Sequence, residues 1–259
     1  EEGNNILLDD ITIDDKAINY DLWIAGKQVT SDNCKDLATI DGVSGVVIYS
    51  PQSNILTLEN AIIDTTSPNA IDSRIDNLTI NLIGTNRLVT ANTSTLRITK
   101  PLTITGGGTL NAKSGSDCAV YANETNLTIN NCIVNAESRA YAIAGNDGTR
   151  ETLTINNAMV TAEGKENGSI CDFAIVVLVG CDILQPTGAA FDADLRGIAL
   201  NDAIVKSKVI IGDPSSIHTP TIDNAAKQGI YTLSGVKLNS KVEDLPKGIY
   251  IVNGKKVVK

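Results

Sequence analysis

Asn126-Leu127-Thr128-Ile129-Asn130-Asn131-Cys132-Ile133-Val134-Asn135-Ala136 is the clearest copy of a phrase that recurs along the chain. Thr152-Leu153-Thr154-Ile155-Asn156-Asn157-Ala158-Met159-Val160-Thr161-Ala162 repeats it almost whole. Asn77-Leu78-Thr79-Ile80-Asn81 and Pro101-Leu102-Thr103-Ile104-Thr105 begin it. With weaker copies at Leu56, Val177 and Ile198, the steps between first positions are 22, 24, 25, 26, 24 and 21 residues. A period in this range marks a solenoid or an array.

Inside a copy, apolar and polar residues alternate, the period of a strand with one buried face. Two bend-forming residues follow, then a second apolar pair such as Ile133-Val134. A third short apolar piece, such as Ala119-Val120 or Ala142-Ile143, precedes the next copy. Three short strands and three turns fill one period, and no helix fits as well. The leucine-rich repeat, the rival at this period, needs a Leu-x-x-Leu-x-Leu run and a helical segment; the back halves here are β-branched and glycine-rich instead. The expected fold is all-β: a right-handed parallel β-helix of about seven coils, with an N-terminal cap and a small C-terminal β module.

The bend column, aligned on the apolar pairs, reads Asn60, Asn86, Gly107, Asn131, Asn157, Cys181 and Asp202. Asn and Gly accept the left-handed backbone that a sharp corner needs, and stacked Asn side chains can bond along the stack. A second column, Ile62, Leu88, Ile133, Met159, Ile183 and Ile204, is expected to point inward, as is Val134.

Composition narrows the function classes. Apolar residues make up 42% of the chain and aromatics only 3%, which suits a narrow aliphatic interior and excludes a surface built from many exposed rings. The net charge of −9 disfavours nucleic acid. It is unevenly spread: residues 227–259 carry seven Lys against Glu243 and Asp244, a charge of +5, which leaves −14 for residues 1–226. Five cysteines, at 34, 118, 132, 171 and 181, show no C-x-x-C spacing and are odd in number, so neither a disulfide framework nor a zinc site is expected. Cys132 shares its column with Ala61, Ala158 and Ala203 and reads as a small buried residue. No run of 18 apolar residues is present, so no transmembrane helix is expected. The chain opens on Glu1 rather than Met, and the compartment is not read from its first residues.

Taken in order, residues 1–54 are assigned to the N-terminal cap and edge strands, 55–212 to the β-helix, 213–227 to a linker with Pro214, His218 and Pro220, and 228–259 to the C-terminal module. Tyr20–Thr30 reads as two strand pieces around Ala25-Gly26-Lys27, with Trp23 expected to plug the end of the core. In the tail, Asn253-Gly254 between two strand-like runs signals a hairpin.

Two resemblances rest on these stretches. Tyr20–Thr30, then Tyr49-Ser50-Pro51 to Leu56-Thr57-Leu58-Glu59-Asn60-Ala61 and the coils, resemble surface and carbohydrate-binding-like β-helix proteins of gut bacteria. Ile230-Tyr231-Thr232-Leu233-Ser234-Gly235, then Leu245-Pro246-Lys247-Gly248-Ile249-Tyr250-Ile251-Val252 and the Lys-rich end, resemble the C-terminal sorting domains of Bacteroidetes. The second resemblance implies export to the medium or to the outer surface of a Gram-negative cell, with the tail read by secretion machinery.

The candidate ligand-binding residues lie in the longer turns that precede each Leu-Thr-Ile strand and share one edge of the solenoid: Asp72, Arg74, Asp76, Tyr121, Asn146, Asp147, Arg150, Asp192 and Asp194. Glycan or a surface protein is the expected partner. No cofactor is expected; calcium is the one ion for which Asp192, Asp194, Asn146 and Asp147 offer hard oxygen ligands, without a complete loop motif. Lone His218 lies outside the coils and no Asp-Asp pair occurs within them, so no catalytic set is assigned. The leading expectation is a non-catalytic, adhesin-like surface protein. Its alternatives are a polysaccharide lyase or hydrolase and a purely structural spacer.

Overall fold

Each copy of the phrase closes into a winding because its strands end on residues that turn. The computed structural model describes residues 16–66, 68–215, 229–232, 236–238, 242–252 and 255–258. The chain divides into two compact units, Glu1–Pro214 and Ser215–Lys259.

The first unit is a parallel β-helix of about five turns. Its first face stacks Leu78–Ile83, Leu102–Thr105, Leu127–Asn130, Thr152–Asn156 and Ile175–Val179. Its second stacks Thr85–Thr90, Thr109–Ser114, Ile133–Ser138 and Met159–Gly164. Its third stacks Ile71–Ser73, Leu96–Ile98, Cys118–Ala122, Tyr141–Ala144 and Gly168–Cys171. The long strand Ile55–Thr65 serves the first two faces, pairing Leu56 with Ile80 before the corner and Ile63 with Leu88 after it.

Leu78, Leu102, Leu127 and Leu153 stand in one file through successive parallel pairs, and none is more than 3% exposed. Ile80, Ile104, Ile129 and Ile155 form the next file, fully buried. Each such side chain contributes roughly 1.5–3 kcal/mol by leaving water. The small residues Ala112, Ala136 and Ala162 let the opposite wall approach.

Several details differ from the sequence reading. Winding stops after about five turns rather than seven, and the last copy belongs to an antiparallel strand. Ile198 lies in Gly197–Leu200, antiparallel to Ala190–Asp192 and to Gly168–Cys171. Val176, not Val177, pairs with Leu153, and Leu56 pairs with Ile80, not Leu78. The slip of two at Leu56 keeps the inward alternation and leaves no trace in the pattern, whereas the slip of one at Val177 puts that side chain outside.

The corner column also changes. Left-handed residues are Asn60 (φ 46°), Gly84 (65°), Gly107 (77°), Asn131 (48°), Asn157 (45°) and Gly180 (63°). At Gly84 a side chain would meet the Asn60 amide, whose Oδ1 accepts the Thr85 N–H at 3.2 Å. Asn86 is not at the corner but inside. Fully buried, it accepts the Ala61 N–H at 2.9 Å and donates to the carbonyls of Ile83 and Thr109 at 3.2 and 3.3 Å, tying three levels together. Side-chain amides do bond along the stack, from Asn156 to Asn130 at 3.0 Å and from Asn135 to Asn111 at 2.9 Å, both outside the core. The column expected to point inward is mixed: Ile62 and Ile133 are exposed, while Leu88 is buried in a different register.

Antiparallel strands close the N-terminal end and two of the three faces at the other. Asn19–Ile24 and Lys27–Thr30 form a hairpin through Ala25 and Gly26, and Asn19–Ile24 pairs with Ile71–Ser73. Leu22, Ile24, Val29 and Leu37 fill this end of the core. Trp23 does not plug it; alternation puts it on the outer side opposite Asp72. At the other end Phe173 is fully buried, and Val209–Gly212 runs antiparallel to Met159–Gly164. All five cysteines are free, and burial pushes the Cys132 thiol up to about 11.

The second unit is an antiparallel sheet in the order Lys237–Leu238, Ile230–Thr232, Ile249–Val252, Lys255–Val258. Val252 pairs with Lys255, so the expected hairpin is present; Asn253 and Gly254 lie outside the described residues, as does His218. Among the described residues no helix is long and apolar enough to cross a membrane.

Candidate ligand-binding site

The third face is a single sheet three to five residues deep, so every outward side chain stands directly above its counterpart one level away. Its central outward row runs Trp23, Asp72, Arg97, Tyr121 through successive pairs. Buried neighbours on both sides (Leu22 and Ile24, Ile71 and Ser73, Leu96 and Ile98, Val120 and Ala122) force these four to face out.

The row is tied together by charge. The Asp72 carboxylate accepts from Arg74 at 3.0 Å and from Arg97 at 3.1 Å, one oxygen each. The Arg74 guanidinium lies 4.6 Å from the Trp23 ring centroid, a cation–π contact. Trp23, Arg74 and Asp72 line a shallow cavity of about 170 Å³, with Pro68 and Asn69 at its rim. The Tyr121 hydroxyl lies 2.7 Å from Asn146 Oδ1 and 3.1 Å from Asn123 Oδ1, both as acceptors. Burial raises the Tyr121 phenol above its ordinary value, so it remains a donor at neutral pH. Trp23 and Tyr121 are three strand intervals apart, about 14 Å, with a carboxylate and a guanidinium between them.

Beyond Tyr121 the row continues into Ala144 and Cys171, which with Cys118 form a small apolar cluster separate from the main core. Tyr121, Tyr141 and Ile204 pack against it. The loop 145–150 ends on Glu151, whose carboxylate is fully buried and accepts the backbone N–H of Asn146 and of Arg150, each at 3.0 Å. Burial alone would raise this carboxyl; the N–H groups of Arg150, Glu151 itself, Asn146 and Asp147 bring it below the ordinary carboxylate value. Asp147 closes a turn by accepting the Thr149 N–H at 2.9 Å and its hydroxyl at 2.6 Å. The Arg196 guanidinium donates to the Asp147 carbonyl oxygen, and Arg150 meets Glu124 at 3.6 Å. Burial pushes the neighbouring Asp172 carboxyl upward.

The nine residues expected at the turn edge therefore fall into separate groups. Asp72 and Arg74 join Trp23 and Arg97. Tyr121 and Asn146 meet directly, with Asp147 and Arg150 in the same loop. Asp76 stands exposed, and its backbone carbonyl accepts from the Asn54 amide at 2.8 Å. Asp192 accepts the N–H of Asp194 and of Leu195, each at 2.9 Å, and so builds a turn within the antiparallel cap. Among the described residues no group of three or more His, Cys, Asp or Glu is placed to hold a metal ion. Arg97 and Glu151 escaped the sequence reading. Arg97 carried a usable signal, since it lies one 25-residue period after Asp72. Glu151 carried none, being a single acid before a strand.

No protein-family model, curated protein or solved structure matches this chain.

Proposed function

We propose that this is an exported, non-catalytic surface protein that binds glycan along the outward row of the third face. The observation that carries the reading is the pair of outward aromatics, Trp23 and Tyr121, on one rigid sheet with Asp72 and Arg97 between them. Aromatic faces stack on sugar rings while charged and amide groups bind hydroxyls, and a β-sheet holds both without reorganisation. Asp72 is committed to two arginines, which supports a binding role over acid–base catalysis. The C-terminal sheet, with its basic end and its resemblance to sorting domains, supports export and reading of the tail by secretion machinery.

A protein partner is the second reading. Ile175–Val179 is an edge strand made only of aliphatic residues, and Ile175, Val177 and Val179 are exposed on it. Unpaired apolar edges are where extended segments add to sheets.

A glycan array probed with the full chain tests the first reading. Capture of a glycan is expected, with affinity reduced about tenfold or more by Trp23→Ala and by Tyr121→Ala. Absence of any captured glycan, affinity unchanged in both variants, or reproducible turnover of a polysaccharide would each overturn it.

A further inference from the structure

A second concave surface lies on a different face and uses none of the residues of the third-face site. The outward positions of Thr85–Thr90, Thr109–Ser114, Ile133–Ser138 and Met159–Gly164 bound a groove of about 310 Å³. It crosses four stacked strands, an axial length of about 14 Å. One side is the row Arg87, Asn111, Asn135, Thr161; the other is the row Val89, Lys113, Glu137, Glu163, with Lys208 at the end. The backbone of Ala112 and Ala136, whose side chains face the core, forms the floor between the rows.

Most charges here are already spent. Arg87 pairs with Asp64 at 3.0 Å, and Glu137 is shared by Lys113 at 3.1 Å and Lys165 at 3.6 Å. The Lys113 hydrogen bond holds the Glu137 carboxyl below its ordinary value. Glu163 and Lys208 are different. The pairing of Ala162 with Val209 sets them opposite one another, yet the structure gives neither an ion-pair or hydrogen-bond partner among the described residues. The Asn135 amide spends one N–H on Asn111, and Asn111 spends one on the Asn86 carbonyl at 3.4 Å. Their remaining amide atoms, Thr161, Glu163 and Lys208 leave donors and acceptors in two rows, whose successive members are one strand interval apart.

We propose that this groove binds a neutral, extended oligosaccharide lying along the solenoid axis. A carboxylate accepts from two vicinal hydroxyls, an ammonium donates to a third oxygen, and amides do both. The repeat of the rows is close to the length of one hexose in an extended chain. The unspent charges, Glu163 and Lys208, cancel, so no net charge selects an ionic ligand. The −14 carried by residues 1–226 repels a polyanion. No aromatic ring lines the groove, so recognition runs through hydrogen bonds, and affinity grows with the number of sugar units engaged.

The test uses the full chain and calorimetric titration with cellohexaose, mannohexaose, xylohexaose and, as the anionic counterpart, hexagalacturonate. At least one neutral hexasaccharide is expected to bind, with affinity lowered about tenfold in the Glu163→Gln/Lys208→Gln double variant and unchanged in Lys100→Gln, an exposed lysine outside both surfaces. Matching melting curves of the double variant and the parent exclude a folding defect, since both side chains lie on the surface. The proposal is overturned if none of the three neutral chains binds, if hexagalacturonate binds more tightly, or if affinity follows Trp23 and not the Glu163–Lys208 pair. That last outcome would leave the third-face reading standing, so the two fail separately.

Discussion

Glu151 Oε1 accepts the backbone N–H of Asn146 at 3.0 Å, and Asn146 in turn accepts at its side-chain oxygen from Tyr121 at 2.7 Å. A buried carboxylate thus sets the position of a surface amide that touches the aromatic row. Replacing Glu151 by Gln keeps the shape and removes the charge, at an expected cost of about 1.5–3 kcal/mol at neutral pH. The folded-state carboxyl sits below its ordinary value, so this contribution is fully present above the unfolded value, about 4.3, and is lost as pH falls through the folded one. Urea midpoints of parent and variant should therefore differ at pH 7 and converge in strong acid. Hydrogen exchange at the Asn146 and Arg150 amides should quicken in the variant.

Asn86 offers a second test. It is one of few fully buried polar side chains, and all three of its bonds reach backbone groups on three levels. Asn86→Ala leaves those groups without partners and should cost about 2–4 kcal/mol in urea unfolding. Asn86→Asp should be worse at pH 7 than near pH 4, because a carboxylate has no N–H to give the two carbonyls and carries a buried charge. Equal stability of the parent and Asn86→Ala would mean that the amide is not inside.

Adjacent residues give the sharpest contrast. Val134 is fully buried between Leu110 and Val160, whereas Ile133 beside it is 38% exposed. Val134→Asp should unfold or aggregate the protein, a loss of about 4 kcal/mol or more. Ile133→Asp should change stability by no more than about 1 kcal/mol. Melting curves of the two variants decide the inward assignment; similar curves would refute it.

Leu78, Leu102, Leu127 and Leu153 were legible because alternation at a near-constant period admits one stacking. Leu56 was placed two positions out and Leu88 three, because coil lengths vary; the even slip conserves which side is wet, and the odd one puts a buried residue in a column with exposed ones. Asn86 looked like a corner residue from its type; only pairing shows that Gly84 turns the chain and that Asn86 packs inside. Ile198 looked like a further coil because aliphatic strands in antiparallel caps carry the same residues as parallel ones, whereas Val177 does lie in a parallel strand, one position out of its assigned register. At the candidate site, Arg74 and Asp72 were visible as a charged turn. Their partners Trp23 and Arg97 come from windings far off in sequence, which only the register brings alongside.

Antiparallel strands close the first unit at its N-terminal end and on two of its three faces at the other, while the interior joints are parallel and in register. Closure and extent are thus specified by different residues. Duplicating residues 102–126 would insert one more storey between two identical joints, lengthen both outer rows by about 4.8 Å and leave the ends as they are. Reach along a bound chain becomes a matter of gene copy number, adjustable by recombination within the repeats without redesign of the seals.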